Sequence, residues 1–171
     1  MLNLQKGDKF CMSDQDYNAT IVVVDDEEMV LTSLGSFLTL ETDYEVKTFT
    51  SAKEAVKYIE ENDVDLVISD YLMPEMDGIT FLAKVRNINP NIPRIILTGY
   101  ADKENAIKAI NEVGLFQYIE KPWENDDLLI IIRNGLEKKM LMNKLQSKVE
   151  EINKAYSDLQ NIQQEILKTF V

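Results

Sequence analysis

Histidine is absent from the 171 residues, and cysteine occurs only once. Without histidine there is no histidine-ligated zinc site and no Ser-His-Asp triad. The lone Cys11 cannot close an internal disulfide, which fits a reducing compartment. No apolar stretch approaches the ~18 residues of a membrane span. Nor does a basic segment followed by an apolar core mark a secretory signal. The expectation is a cytoplasmic protein with no membrane partner. Basic residues are also scarce, 18 Lys and Arg against 30 Asp and Glu, for a formal charge of −12. Phosphate neutralisation needs clustered cations, so direct nucleic-acid binding is not expected. With 6 Gly, 4 Pro and 45% hydrophobic residues the chain reads as globular, and its length admits one well-packed domain plus an appendage.

What is there begins at Thr20, after a polar, aperiodic stretch read as a flexible leader (residues 1–19). The run Ile21-Val22-Val23-Val24 is β-branched and bounded by acids, as a buried parallel strand should be. Val30, Leu34, Phe37 and Leu38 then repeat at helical spacing. Tyr44 to Phe49 alternates as a second strand, and Ser51 with Glu54 has the form of a capping box opening a helix through Ala55, Val56 and Ile59. A third strand, Leu66 to Ser69, is followed by a break at Met73-Pro74-Glu75-Met76-Asp77-Gly78 and a helix carrying Phe81, Leu82 and Val85. Pro93 opens a fourth strand; Ala106, Ile110 and Val113 mark a fourth helix ended by Gly114; a fifth strand follows at 116–120. Five alternating units predict a doubly wound parallel α/β sheet.

In such sheets ligands bind beyond the C-terminal ends of the strands. Asp25-Asp26, Asp70, Thr98 and Lys121-Pro122 all stand at those ends, so topology should bring them to one place. Mg²⁺ takes oxygen ligands and commonly one or two carboxylates with waters and phosphate oxygens. Asp25, Asp26 and Asp70, with the main-chain carbonyl of Tyr71, could supply them, and the cation would relieve the repulsion among three acids. Mn²⁺ would fit the same donors. A carboxylate can act as nucleophile in phosphoryl transfer. Asp70, central between the acidic pair and Thr98/Lys121, is the best placed to do so. Lys121 would neutralise the transferring group and Thr98 would donate to one of its oxygens.

Taken together, Asp25-Asp26, the run Leu66-Val67-Ile68-Ser69-Asp70-Tyr71-Leu72-Met73-Pro74 with Asp77-Gly78, Leu97-Thr98-Gly99 and Lys121-Pro122 resemble the receiver domains of bacterial two-component response regulators. The resemblance covers residues 20–138. It implies a flavodoxin-like sheet of strand order 2-1-3-4-5. It also implies that Asp70 takes phosphate from a sensor histidine kinase, that Asp26 binds Mg²⁺ directly with help from Asp25, and that Thr98 and Tyr118 form a switch pair. A cis bond at Lys121-Pro122 is expected on the same ground. Leu72 and Tyr100 flank the phosphate in this family, and their bulk predicts slow autodephosphorylation. The Thr98–Asp102 and Lys121–Trp123 segments resemble receivers joined to larger effectors, including HD-type phosphodiesterases and enhancer-binding transcription regulators.

Beyond the receiver, Met142, Leu145, Val149, Ile152, Tyr156, Leu159, Gln163, Ile166 and Phe170 recur at alternating spacings of three and four. All but Gln163 are apolar, over about four heptads. A helix from Asp126 to Val171 is too long to pack on one small domain, so residues 139–171 are read as a parallel, dimerising coiled coil, with Gln163 fixing register. Gly135 would cost that helix ~1 kcal/mol. The pattern stops in mid-course at Val171, and the expectation is a non-enzymatic receiver passing its switch to an effector outside this chain. One rival is an aspartate-nucleophile phosphohydrolase, which Leu72 opposes because a general acid belongs at that position. Others are a non-phosphorylated interaction module, and a flavodoxin-like cofactor binder whose phosphate the acids would repel.

Overall fold

A computed structural model of the chain describes residues 18–99 and 113–170. Its elements run β1 (Thr20–Val24), α1 (Glu28–Glu41), β2 (Glu45–Phe49), α2 (Ala52–Glu61), β3 (Leu66–Asp70), α3 (Gly78–Ile88), β4 (Arg94–Thr98), β5 (Gln117–Glu120) and α4 (Asn125–Thr169). The five strands are parallel and ordered β2-β1-β3-β4-β5, the order expected. The fourth helix predicted around Ala106 and Ile110, together with Tyr100 and Cys11, lies outside the described residues.

The three central strands, β1, β3 and β4, are buried and mostly apolar on both faces because both faces are covered. Val22, Val24, Val67 and Ile96 pack beneath α2 and α3 with Ala55, Ile59, Phe81, Leu82 and Val85. Ile21, Val23, Leu66, Ile68, Ile95, Leu97 and Ile119 pack beneath α1 and α4 with Leu34, Leu38, Leu128, Ile132 and Leu136. Successive side chains of a strand alternate faces, so one unbroken apolar run feeds both layers.

Two local expectations need correction. Ala19, assigned to the leader, is fully buried, and its carbonyl accepts the Glu45 N–H at 2.9 Å. Ser51 does occupy the N-cap of α2, but its hydroxyl makes no capping bond; burial of Ala52 and Ala55 in the core places that helix start instead. The real side-chain cap is on α3, where Asp77 accepts from the Thr80 N–H at 2.7 Å. Gly78 follows because a Cβ there would collide with the Asp70 carbonyl.

Helix α4 spans 45 residues, about 67 Å at 1.5 Å per residue. Its first part is docked, with Leu128, Ile132 and Leu136 in the core. Gly135 is not a defect there. A Cβ on it would stand 2.9 Å from Leu66 Cδ1, so its absence lets the helix lie close against β3. From Leu141 to Phe170 every residue is exposed.

Candidate functional site

The strand ends converge as the topology requires. Asp25 ends β1 fully buried, Asp70 ends β3 at 7% exposure, and Asp26 faces solvent between them. One carboxylate oxygen from each lies within 4.8 Å of the others. Lys121 Nζ stands 2.6 Å from Asp70 Oδ1 and 3.0 Å from Asp25 Oδ2. The other oxygen of Asp25 accepts the Glu27 N–H at 2.9 Å, which fixes the carboxylate while the chain turns into α1.

Backbone bonds hold these groups in place. The Lys121 N–H donates to the Thr98 carbonyl at 2.8 Å, and the Lys121-Pro122 bond is cis, as the resemblance implied. The Tyr71 N–H donates to the Leu97 carbonyl at 2.8 Å, tying the segment after Asp70 to β4. The Tyr71 carbonyl, expected to be a metal ligand, accepts the Gly78 N–H at 2.9 Å where the loop folds back. A carbonyl oxygen has two lone pairs, so one remains for a cation beside the three carboxylates. Within that loop Glu75 adopts φ +67 and the Met76 N–H reaches the Pro74 carbonyl at 2.8 Å, a tight three-residue turn. The Glu75 carboxylate pairs with Lys53 at 2.9 Å.

Burial is the largest influence on the Asp70 carboxyl and pushes its pKa up, while the Lys121 ammonium pulls the other way and the charges of Asp25 and Asp26 add to the rise. For Lys121 burial acts downward, but the bonds to Asp70 and Asp25 prevail and hold the ammonium above its ordinary value. Asp25 and Asp70 thus share one cation, and Asp26 adds a further negative charge beside them. All-oxygen donors with surplus negative charge suit a hard divalent ion.

Thr98 is fully buried at the end of β4, its hydroxyl donating to the Gly99 carbonyl at 3.1 Å. Tyr118 is half-buried on β5, paired in register with Ile96 and packed against the core beneath α2 and α3. Leu72 is 62% exposed just after Asp70. Trp123 packs against the core beneath α1 and α4, as a hydrophobic anchor should.

Sequence reasoning missed a second ion pair. Lys139 is 7% exposed, and its Nζ donates to the Val64 carbonyl at 2.6 Å and to Asp65 Oδ1 at 2.7 Å. The visible signal was spacing, since Lys139 continues the core positions Leu128, Ile132 and Leu136.

A parallel sheet of this order with three acids and a lysine at its C-terminal edge defines a class, the phosphoacceptor α/β receivers. The sequence profile of the response regulator receiver domain matches residues 21–133, and the chain belongs to that family. Among relatives, the hydrogenase transcriptional regulatory protein HoxA of Cupriavidus necator is 40% identical over 126 residues. That match covers 74% of this chain but only 25% of the relative. The solved receiver domain protein from Clostridium thermocellum has a TM-score of 0.69 at 38% identity, covering 72% of this chain and 98% of that one. The signal receiver domain of an HD domain-containing protein from Pseudomonas fluorescens Pf-5 has a TM-score of 0.72 at 33% identity, covering 77% and 96%. Among the described residues no helix is long and apolar enough to cross a membrane.

Proposed function

We propose that Asp70 is the phosphoacceptor of this receiver and that a sensor histidine kinase is its donor. A carboxylate oxygen of Asp70 attacks phosphorus; the O–P bond forms as the P–N bond of the donor phosphohistidine breaks, and the electron pair leaves on the imidazole nitrogen. Lys121, already at 2.6 Å from Asp70, supplies counter-charge to the incoming phosphoryl oxygens. The Thr98 hydroxyl gives up the Gly99 carbonyl to donate to one of them, and Tyr118 on the adjacent strand repacks in response. Mg²⁺ or Mn²⁺, held by Asp25, Asp26, Asp70 and the Tyr71 carbonyl, would screen negative charge on the phosphoryl group.

The observation that carries this reading is the convergence of three carboxylates within 4.8 Å around a lysine shared between two of them. Incubation with acetyl phosphate and Mg²⁺ should raise the intact mass by one phosphoryl group in the native chain and not in Asp70→Asn. An equal gain in both would sink the assignment. Decay of that label tests Leu72 and Tyr100 as lifetime-setting groups; Leu72→Asn should decay faster, and an unchanged rate would remove Leu72 from that role.

The output we infer is mechanical. Met142, Leu145, Val149, Ile152, Tyr156, Leu159, Ile166 and Phe170 are each at least 42% exposed on the undocked part of α4, with Gln163 in the same stripe. On a helical wheel the start of this stripe lies about 100° round from the Leu128/Ile132/Leu136 face, so a second copy can pair in parallel without displacing the receiver from its own helix. This supports a homodimer of receivers (20–138) carried on a coil (139–171) and passing the switch to an effector. Sedimentation should give a dimer for the native chain and a monomer for Leu145→Asp/Ile152→Asp; two monomers would end the coil reading.

A further inference from the structure

The undocked part of α4 leaves the receiver at one buried polar contact. Lys139 is the last buried residue of the helix; beyond Met140 every residue is exposed, and there the receiver still reaches the helix through an exposed bond from Asn91 Nδ2 to Gln146 Oε1 at 3.3 Å. Its Nζ is held by the Val64 carbonyl at 2.6 Å and by Asp65 Oδ1 at 2.7 Å. Asp65 is in turn fixed to the neighbouring strand: its Oδ2 accepts the Thr20 N–H at 2.9 Å, and its own N–H donates to the Thr20 carbonyl at 2.8 Å. The ammonium is therefore tied at once to the starts of β1 and β3, the two strands that carry Asp25 and Asp70 at their far ends. One turn earlier Gly135 seats the helix against Leu66 of β3. Alongside, Lys138 Nζ lies 5.5 Å from the centre of the Phe116 ring.

A single apolar contact at this point would add burial without a directional bond, because the hydrophobic effect is non-directional. A lysine bonded to a carbonyl and a carboxylate does fix direction. Buried ion pairs add little stability over an apolar replacement of similar volume, and their best-attested use is to select one arrangement among several. We infer that Lys139 is a positioning residue: with Asp65 it forms a clasp that sets the angle at which the coil helix leaves the receiver. This does not depend on phosphorylation or on dimer formation. It assigns the clasp an orienting role and the apolar neighbours Leu128, Ile132 and Leu136 the holding role.

The test is a distance measurement in the full chain. Spin labels on Lys57→Cys and Lys154→Cys, with Cys11→Ser, report the angle between receiver and stalk by double electron–electron resonance. Dilution into unlabelled protein restricts the signal to distances within one chain. The parent should give a single narrow peak. Lys139→Met should lose it, and so should the double variant Asp65→Asn/Lys139→Met, which leaves neither charge unpaired and is read if the single variant does not fold. Thermal unfolding of the double variant is measured alongside, since a merely structural role would move the midpoint and leave the peak narrow. A broad distribution in a double variant that unfolds cooperatively supports the clasp. A narrow peak at the parent distance in that variant overturns it.

Discussion

Strand β3 has an aspartate–lysine pair at each end, and the two pairs differ in what surrounds them. At the C-terminal end Asp70 and Lys121 are 2.6 Å apart; at the N-terminal end Asp65 and Lys139 are 2.7 Å apart. The first pair is unbalanced, because Lys121 also serves Asp25 and Asp26 stands beside them. Its lysine side chain is 25% exposed, so solvent and a phosphodonor can reach it. The second pair is closed. Lys139 donates to one carboxylate and one carbonyl, that carboxylate also accepts a backbone N–H, and both side chains are nearly covered. Equal distances therefore do not mean equal roles. Surplus charge and access distinguish one end, and the other lacks both.

The largest expected effect breaks the unbalanced end. Asp70→Asn should abolish phosphoryl uptake from acetyl phosphate, and in Mg²⁺-free buffer it should raise the thermal midpoint rather than lower it. The sign follows from burial: the folded-state pKa of Asp70 is raised, so the charged form works against folding at pH above that value, and a neutral amide removes the penalty. A lowered midpoint would mean that the bond to Lys121 outweighs burial and the acidic neighbours.

Breaking the closed end should do the opposite to stability. Lys139→Met leaves Asp65 buried beside a lost cation, and removal of one partner from a buried pair costs about 3–5 kcal/mol. Adding Asp65→Asn should recover most of that loss in urea unfolding, since neither charge is then left unpaired. If the single and double variants are equally unstable, packing of the lysine stem matters more than the charge.

The two ends were not equally legible in the sequence. Asp25, Asp26, Asp70, Thr98 and Lys121 each close an apolar run, so strand pattern and fold rule together bring them to one edge. Asp65 and Lys139 interrupt no pattern that polarity can reveal, because a lysine at a core spacing reads as a solvated charge until its partner is known. The loop bond accepted by the Tyr71 carbonyl was hidden for a related reason. That bond to Gly78 depends on a loop closing over seven residues, and nothing local to Tyr71 announces it. The Ser51 hydroxyl shows the limit of motif reading in another way, since the residue types of a capping box are present without the bond.

A metal sharpens the contrast between the ends. Mg²⁺ at about 100 times its dissociation constant should stabilise the native chain by roughly 2.7 kcal/mol, as any ligand of the folded state alone does. The gain should vanish in Asp26→Asn and persist in Asp65→Asn/Lys139→Met, as read by thermal unfolding with and without the ion. Equal gains in all three proteins would place the cation elsewhere on the acidic surface.

The smallest effect concerns the contact that lies between the ends. Gly135→Ala should gain ~1 kcal/mol from helix propensity, since alanine loses less backbone entropy than glycine. Against that, the new Cβ would sit 2.9 Å from Leu66 Cδ1 and 3.4 Å from Phe116 Cδ1. Leu66 is fully buried and paired in register with Ile21 of β1, so it has little room to give. Overpacking of this kind costs about 1–3 kcal/mol, so the net change should be destabilising by about 1 kcal/mol in urea unfolding. Shortening the obstructing side chain should reverse the sign: on a Leu66→Val background the same Gly135→Ala change should stabilise, because propensity then acts with the collision removed. If alanine destabilises equally on both backgrounds, the fit of α4 to β3 is set by backbone approach along the whole docked helix and not by this one pair of side chains.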